Sequence, residues 1–367
     1  MLLTICLPTY NRLNACKNQI NELSKQIIKN NLNQDVEILI SENSNLKKEK
    51  ISKIYLSGFK KIKIRILRNK GNIGYANSLN RLISKARGRY SWLLSDDDYL
   101  KPSALKKIIL NLSENINADY ITFRSHAFLP TQRKNFLNDI YFKDLPSAKN
   151  FTRLNSISLD GNYFLEKYWL SVIFISINIF DTKKMRNHIK FYNLKKITNK
   201  AYHNSFLCIS FIKDKKVKVI LDFLLIDSYV PKFYTLQTQF EMWVMSWVVL
   251  IKDLKKFKLP LRTIIAMRIL AMRNLKSILV YVISYQRLDP IKKQDLNLFN
   301  ISVKKIEGKL IIETYTIKMI ILLLKLQKNF YFFKKILNFT FADQSIVKKL
   351  VNDEKILRKK LLNRMSY

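Results

Sequence analysis

Along the first ~125 residues, apolar positions recur in short blocks that switch between the two-residue period of a strand and the longer period of a helix. The pattern predicts strands from Leu2 to Leu7, Val36 to Ile40, Ile62 to Leu67, Tyr90 to Leu94 and Asp119 to Phe123. Between them it predicts helices from Ala15 to Asn30, Ala76 to Ala86 and Ser103 to Leu112, the first carrying an apolar stripe of Ile20, Leu23, Ile27 and Ile28. Strands alternating with helices are the signature of an α/β domain with a mostly parallel sheet. From 126 to 235 the pattern is mixed, with an apolar run at Val172 to Phe180 and strands at Val217 to Leu221 and Leu224 to Val230. From 236 to 367 it is helical, over Phe240 to Leu250, Pro260 to Tyr285, Ile311 to Leu326 and Ser345 to Met365. Three segments follow: 1–125, 126–235 and a basic helical 236–367.

Composition narrows the class. Apolar residues make up 48% of the 367, enough for a core and against disorder. Cys6, Cys16 and Cys208 are odd in number and match no zinc pattern, which points to a reducing compartment rather than a disulfide framework. No basic leader precedes Leu2 to Leu7, so a secretory signal is not expected. No apolar run reaches the ~18 residues of a membrane span. Lys and Arg number 66 against 27 Asp and Glu, a formal charge of +39. Such an excess suits a polyanionic neighbour: nucleic acid, an anionic membrane face or a pyrophosphate-bearing substrate.

Against that basic background, Ser95-Asp96-Asp97-Asp98 follows the strand Tyr90 to Leu94 directly. Carboxylates two apart at a strand end point the same way and can share a hard divalent cation, which takes one or two carboxylates plus phosphate oxygens. The competing reading is a solvated acidic turn before a helix whose first turn Pro102 presets. Ligands of open α/β sheets bind beyond the carboxyl ends of strands. The polar clusters Pro8 to Arg12, Ser41-Glu42-Asn43, Arg68-Asn69 and Ser95 to Asp98 all sit at such ends. Of six glycines, Gly71, Gly74 and Gly88 fall just upstream of the acidic cluster, where the backbone bends or nears a ligand; a plain turn into a helix fits Gly71 and Gly74 equally. No dinucleotide fingerprint or Walker loop is present.

The segments Ile5 to Arg12, Ile38 to Ser44, Asn69 to Gly74 and Ala86 to Asp98 jointly resemble, in order and spacing, the nucleotide-sugar half of a family 2 glycosyltransferase of the GT-A fold. The triple aspartate after Trp92-Leu93-Leu94 is similar to bacterial enzymes of surface-polysaccharide synthesis, the abequosyltransferase-like group among them. The resemblance implies an inverting, Mg2+- or Mn2+-dependent transfer of a hexosyl or deoxyhexosyl group from a nucleotide-sugar donor to a glycan, or lipid-linked oligosaccharide, of O-antigen, lipooligosaccharide or capsule. It implies a cytoplasmic enzyme, peripheral on the inner face of the bacterial cytoplasmic membrane. Carried over by position, Pro8, Thr9, Tyr10, Arg12, Asn69, Gly74, Asn77 and Asp97 border the nucleotide sugar. Glu42 meets the base or ribose where relatives usually place Asp. Asp96 and Asp98 stand for the Asp-X-Asp pair, Asp98 as the direct metal ligand and Asp96 nearer the ribose.

Inversion needs one base to deprotonate the acceptor hydroxyl. Relatives usually supply a carboxylate, yet Thr182 to Lys213 holds no acid. His203 stands in the right region, and an ordinary imidazole titrates close to neutrality and can do the work. Asp160, beside Gly161, is the second candidate. For His203 the alternative is an ordinary packed histidine. The basic C-terminal segment reads as an amphipathic face on anionic lipid, with Trp243 and Trp247 on one helix side, or as a helical bundle with solvated lysines. A nucleic-acid-binding protein would gather its charge on one face or carry a known motif, and neither is seen, so no nucleic acid is expected. A nucleotidyltransferase of similar fold remains the rival enzyme, although its phosphate loops need more glycine.

Overall fold

A computed structural model describes residues 1–44, 51, 53–114, 118–128, 137–138, 142, 144–145, 155–191, 203–227, 250 and 257–267. The chain divides into two compact units; the first comprises Met1–Ala127, Asp139–Ser228 and Leu254–Met267. In it, β1 (Leu3–Thr9), α1 (Leu13–Lys29), β2 (Val36–Glu42), α2 (Lys53–Ser57), β3 (Lys63–Arg68), α3 (Tyr75–Lys85) and β4 (Tyr90–Leu93) alternate as the pattern predicts, except for the short α2, which it does not predict. They continue into β5 (Tyr99–Leu100), α4 (Ala104–Glu114) and β6 (Tyr120–Phe128). In the second unit the described residues include a two-residue strand, β7 (Leu137–Asn138). The first unit resumes with β8 (Ser156–Asp160), α5 (Gly161–Tyr168) and two 3-10 turns, Trp169–Ile173 and Ile175–Ile177. It closes with β9 (Asn178–Asp181), α6 (Thr182–Phe191), α7 (His203–Ile212) and β10 (Lys216–Asp227).

These strands form one mixed, mostly parallel sheet in the order β3-β2-β1-β4-β9-β6-β10-β5. β1 runs parallel to β2 and β4, β2 to β3, and β6 to β10. β9 is antiparallel to both β4 and β6, and β8 is antiparallel to β10. β1, β2 and β4 are buried along almost their whole length, as strands covered by helices on both faces must be. Helix α1 turns Ile20, Leu23 and Ile27 into the core, but Ile28 lies outside the stripe at 51% exposure. The buried thiols of Cys6, Cys16 and Cys208 are all unpaired and pushed up by burial, so they pack as small apolar groups.

Gly88 is fixed by close approach. A Cβ there would stand 2.5 Å from the Thr4 nitrogen and 2.6 Å from the Leu3 carbonyl carbon, so only glycine lets the chain enter β4 beside β1. Its N–H and that of Arg87 donate to Thr4 Oγ1 at 2.7 and 3.1 Å. No helix among the described residues is long and apolar enough to cross a membrane. The expected helices Ile311 to Leu326 and Ser345 to Met365, with Trp243 and Trp247, lie outside the described residues, as do most of Phe240 to Leu250 and Pro260 to Tyr285.

Candidate functional site

Parallel registry brings the polar ends of the first strands together. Thr9 pairs with Glu42 and Glu42 with Arg68, while Cys6 pairs with Leu93, three residues before Asp96. Backbone hydrogen bonds extend the ladder past the strands: Asn43 N donates to Thr9 O (3.0 Å), Asn69 N to Glu42 O (3.2 Å) and Leu94 N to Cys6 O (3.0 Å). Residues scattered from 9 to 98 thus converge on the carboxyl edge, where open α/β sheets bind ligands in a crevice.

Each aspartate of the triplet is held by a hydroxyl. Thr9 donates to Asp96 Oδ2 at 2.7 Å, Ser95 to Asp97 Oδ1, and Ser176, from the second 3-10 turn, to Asp98 Oδ2. Arg12 bridges two of them, with Asp96 Oδ1 at 3.2 Å and Asp97 Oδ2 on its other terminal nitrogen. Burial pushes the Asp96 carboxyl up to about 6, the Arg12 guanidinium opposes that shift, and Asp97 adds to it. Asp96 and Asp98 are both buried, at 3% and 4% exposure, and Asp97 is part exposed. This is an organised acidic site. The solvated turn considered from the sequence does not describe it.

Could it hold a cation? Among the described residues no group of three or more His, Cys, Asp or Glu could do so unaided. Asp96 already faces the guanidinium of Arg12, which opposes a second cation beside it. Asp98 Oδ2 accepts from the Ser176 hydroxyl, and a carboxylate oxygen accepting one hydrogen bond retains a further lone pair. One carboxylate completed by phosphate oxygens and water is the donor set that Mg2+ accepts in phosphate-transfer sites, so the residues fit a cation shared with substrate. They do not fit an all-protein cage.

Around the triplet, Glu42 is buried at 1% exposure. It accepts from Arg68 (2.5 Å) and from the Ile51 N–H (2.6 Å), and Arg68 also donates to Ile51 O (2.7 Å). Asn69 donates to Asn43 (2.5 Å) and Ser41 (3.2 Å), and Ser78 to Ser41 (2.7 Å). Tyr10 is exposed at the end of β1, after the partly buried Pro8, and Gly74 adopts φ 79° at the start of α3. Asn77 is exposed on α3 and donates to Ile73 O at 2.8 Å. Arg68 and Ser176 are the residues sequence reasoning did not assign. Arg68 carried a signal, being the last residue of its strand; Ser176, 78 positions from Asp98, carried none.

The two proposed bases are not brought to this crevice. Asp160 Oδ1 accepts from Tyr163 N at 3.0 Å and caps α5. Its strand pairs it with Lys216, beside the Val217–Tyr120 pair at the start of β6. Tyr120 faces Phe180, and Phe180 faces Ser91 at the start of β4. Asp160 therefore lies at the amino edge of the sheet, opposite the acidic cluster, where its carboxylate caps a helix. His203 is 1% exposed between α7 and α3, with Nε2 3.0 Å from Asn80 Oδ1. Burial lowers it to about 4. It is buried as the packed histidine of the alternative reading would be.

Comparison with known proteins agrees with the fold. A family model described as glycosyl transferase family 2 matches residues 4–197. Abequosyltransferase RfbV of Salmonella typhimurium is 30% identical over 106 residues, 29% of this chain and 31% of that protein, so the match spans about a third of the relative. Among solved structures, S. aureus TarS 1-349 superposes with a TM-score of 0.50 at 13% identity, covering 84% of this chain and 81% of that one. The mannosyltransferase PcManGT from Pyrobaculum calidifontis, solved with GDP-Man and Mn2+, superposes at 0.52 with 10% identity over 89% and 86% of the two chains. At these identities the likeness is one of fold.

Proposed function

The chain belongs to glycosyl transferase family 2, and from that premise we propose that it moves a sugar from a nucleotide-sugar donor to a glycan, with inversion and with Mg2+ or Mn2+ at Asp98. The observation that carries the proposal is the crevice itself: three aspartates locked by Thr9, Ser95 and Ser176 at the carboxyl edge of a parallel sheet. Locked carboxylates preserve the orientation a transition state needs, with little reorganisation when the donor arrives.

In this reading Glu42 and Arg68 form the wall that meets the base, the Arg68 fork and the Glu42 carboxylate being fixed against each other and against Ile51. Thr9 and Arg12 hold Asp96 toward the ribose, and Asn69 and Gly74 border the turn into α3. A bound cation would supply Lewis-acid neutralisation of the leaving diphosphate. Asp98 keeps one carboxylate edge fixed for it, and Arg12 lends further positive charge nearby. Asp160 and His203 are left out of the mechanism because of where they lie.

The acceptor proposed is a lipid-linked oligosaccharide of surface polysaccharide. The formal charge of +39 supports a resting place on anionic lipid at the cytoplasmic face of the membrane. Thermal-shift measurements with UDP-, GDP-, CDP- and dTDP-sugars in Mn2+ test the donor reading. A rise in melting temperature with one base class is expected, and no rise with any nucleotide overturns it.

A further inference from the structure

We propose that Ser176 is the positioning residue for Asp98, a role resting on the reading of the crevice as a cation-assisted transfer site. Its hydroxyl both donates and accepts. It accepts the Ser95 N–H at 2.8 Å and donates its one proton to Asp98 Oδ2, while its carbonyl accepts Trp92 Nε1–H at 2.7 Å. The side chain is wholly buried, so water does not compete for these bonds. One residue thus grips the strand β4 before the triplet, the first residue of the acidic turn and its last carboxylate.

The turn that carries Ser176 is itself pinned. Asn178 Nδ2 lies 2.8 Å from Phe174 O and 3.0 Å from Ile175 O, and Asn178 Oδ1 accepts from the Tyr120 hydroxyl. Asn204, on α7, donates to Val172 O at 3.1 Å and Ile173 O at 3.0 Å, and accepts from Tyr75 on α3 at 3.3 Å. Ser176 thus sits on a hydrogen-bonded turn, and its hydroxyl fixes where Asp98 Oδ2 lies. Partners of this kind fix a ligand's orientation, and their loss typically weakens metal binding by about 10–100-fold. Thr9 and Ser95 hold the other two carboxylates from within the amino-terminal segment. Ser176 ties the triplet to the later half of the domain.

The test is Mn2+ binding by the full chain, read as free Mn2+ by electron paramagnetic resonance, with Mn2+ alone and with inorganic pyrophosphate. Wild type is expected to bind, Asp98→Asn to lose the site, and Ser176→Ala to bind about 10–100-fold more weakly. Ser176→Cys, close in volume but a poor donor, should fall between. In denaturant unfolding, adding Ser176→Ala to Asp98→Asn should cost less stability than adding it to wild type, which a packing defect independent of Asp98 would not reproduce. In transfer assays the apparent KM for Mn2+ should rise in Ser176→Ala. Wild-type Mn2+ affinity in Ser176→Ala overturns the positioning role; should that variant fail to fold, wild-type affinity in Ser176→Cys overturns it instead. A wild type that binds no Mn2+ in either condition overturns the cation reading itself, and this inference with it.

Discussion

His203 offers a stability test that also decides its place in the mechanism. In the folded chain, burial lowers its pKa from the ordinary 6.5 to about 4. The unfolded chain therefore takes up a proton below pH 6.5 that the folded chain refuses until about pH 4, so stability is complete above 6.5 and falls as the pH drops through this window. At about 1.4 kcal/mol per unit, the loss is about 2 kcal/mol at pH 5 and about 3 kcal/mol below pH 4. His203→Gln removes the titration and keeps an amide able to donate to Asn80. Denaturant unfolding at pH 7.5 and pH 5.0 measures the difference: the wild type should lose about 2 kcal/mol more than the variant between the two. His188, also lowered to about 4 by burial and by Lys215, is present in both proteins and cancels. Equal losses would show that His203 is not held neutral. Turnover by the folded variant should also escape the ~10²–10⁴-fold drop that removing a general base brings.

Two further substitutions probe the frame. Gly88→Ala drives a methyl into the backbone of β1 and should cost about 3 kcal/mol, the upper end of overpacking, because backbone cannot yield as a side chain does; a loss below about 0.5 kcal/mol in denaturant unfolding contradicts the close approach. Asp160→Ala removes the cap of α5 and should cost about 1 kcal/mol while leaving transfer intact. A collapse of transfer without that loss of stability would return Asp160 to the mechanism.

The parallel half was legible because its strands are buried and its helices two-faced. Leu3–Thr9 and Val36–Glu42 stand within two residues of their predicted bounds, and the crevice followed from where the polar clusters fall. Later elements gave weaker signals for physical reasons. All ten residues of α7 are buried, so it has no polar face and no helical period to read. The apolar run Val172 to Phe180 is divided between 3-10 turns and the short β9. β10 is one strand where two were expected; Asp222 breaks the apolar pattern, and the ladder to β6 shifts register on both sides of Phe223. Asp160 drew attention as an acid beside glycine, a pattern shared by catalytic sites and by helix caps. Only strand pairing shows which edge of the sheet it occupies. Ser176 was beyond reach, since its partners are separated from it by the whole of α4, β6 and α5.

The central claim is that Asp98 meets a cation that also contacts a nucleoside diphosphate. Anomalous diffraction from crystals grown with Mn2+ and the nucleoside diphosphate selected by thermal shift measures this directly. The account predicts one Mn2+ peak at about 2.1 Å from an Asp98 oxygen, the spacing of a hard cation on carboxylate, with the diphosphate completing its coordination. A diphosphate bound in the crevice with no Mn2+ peak at Asp98, or a peak held by other residues, would contradict it.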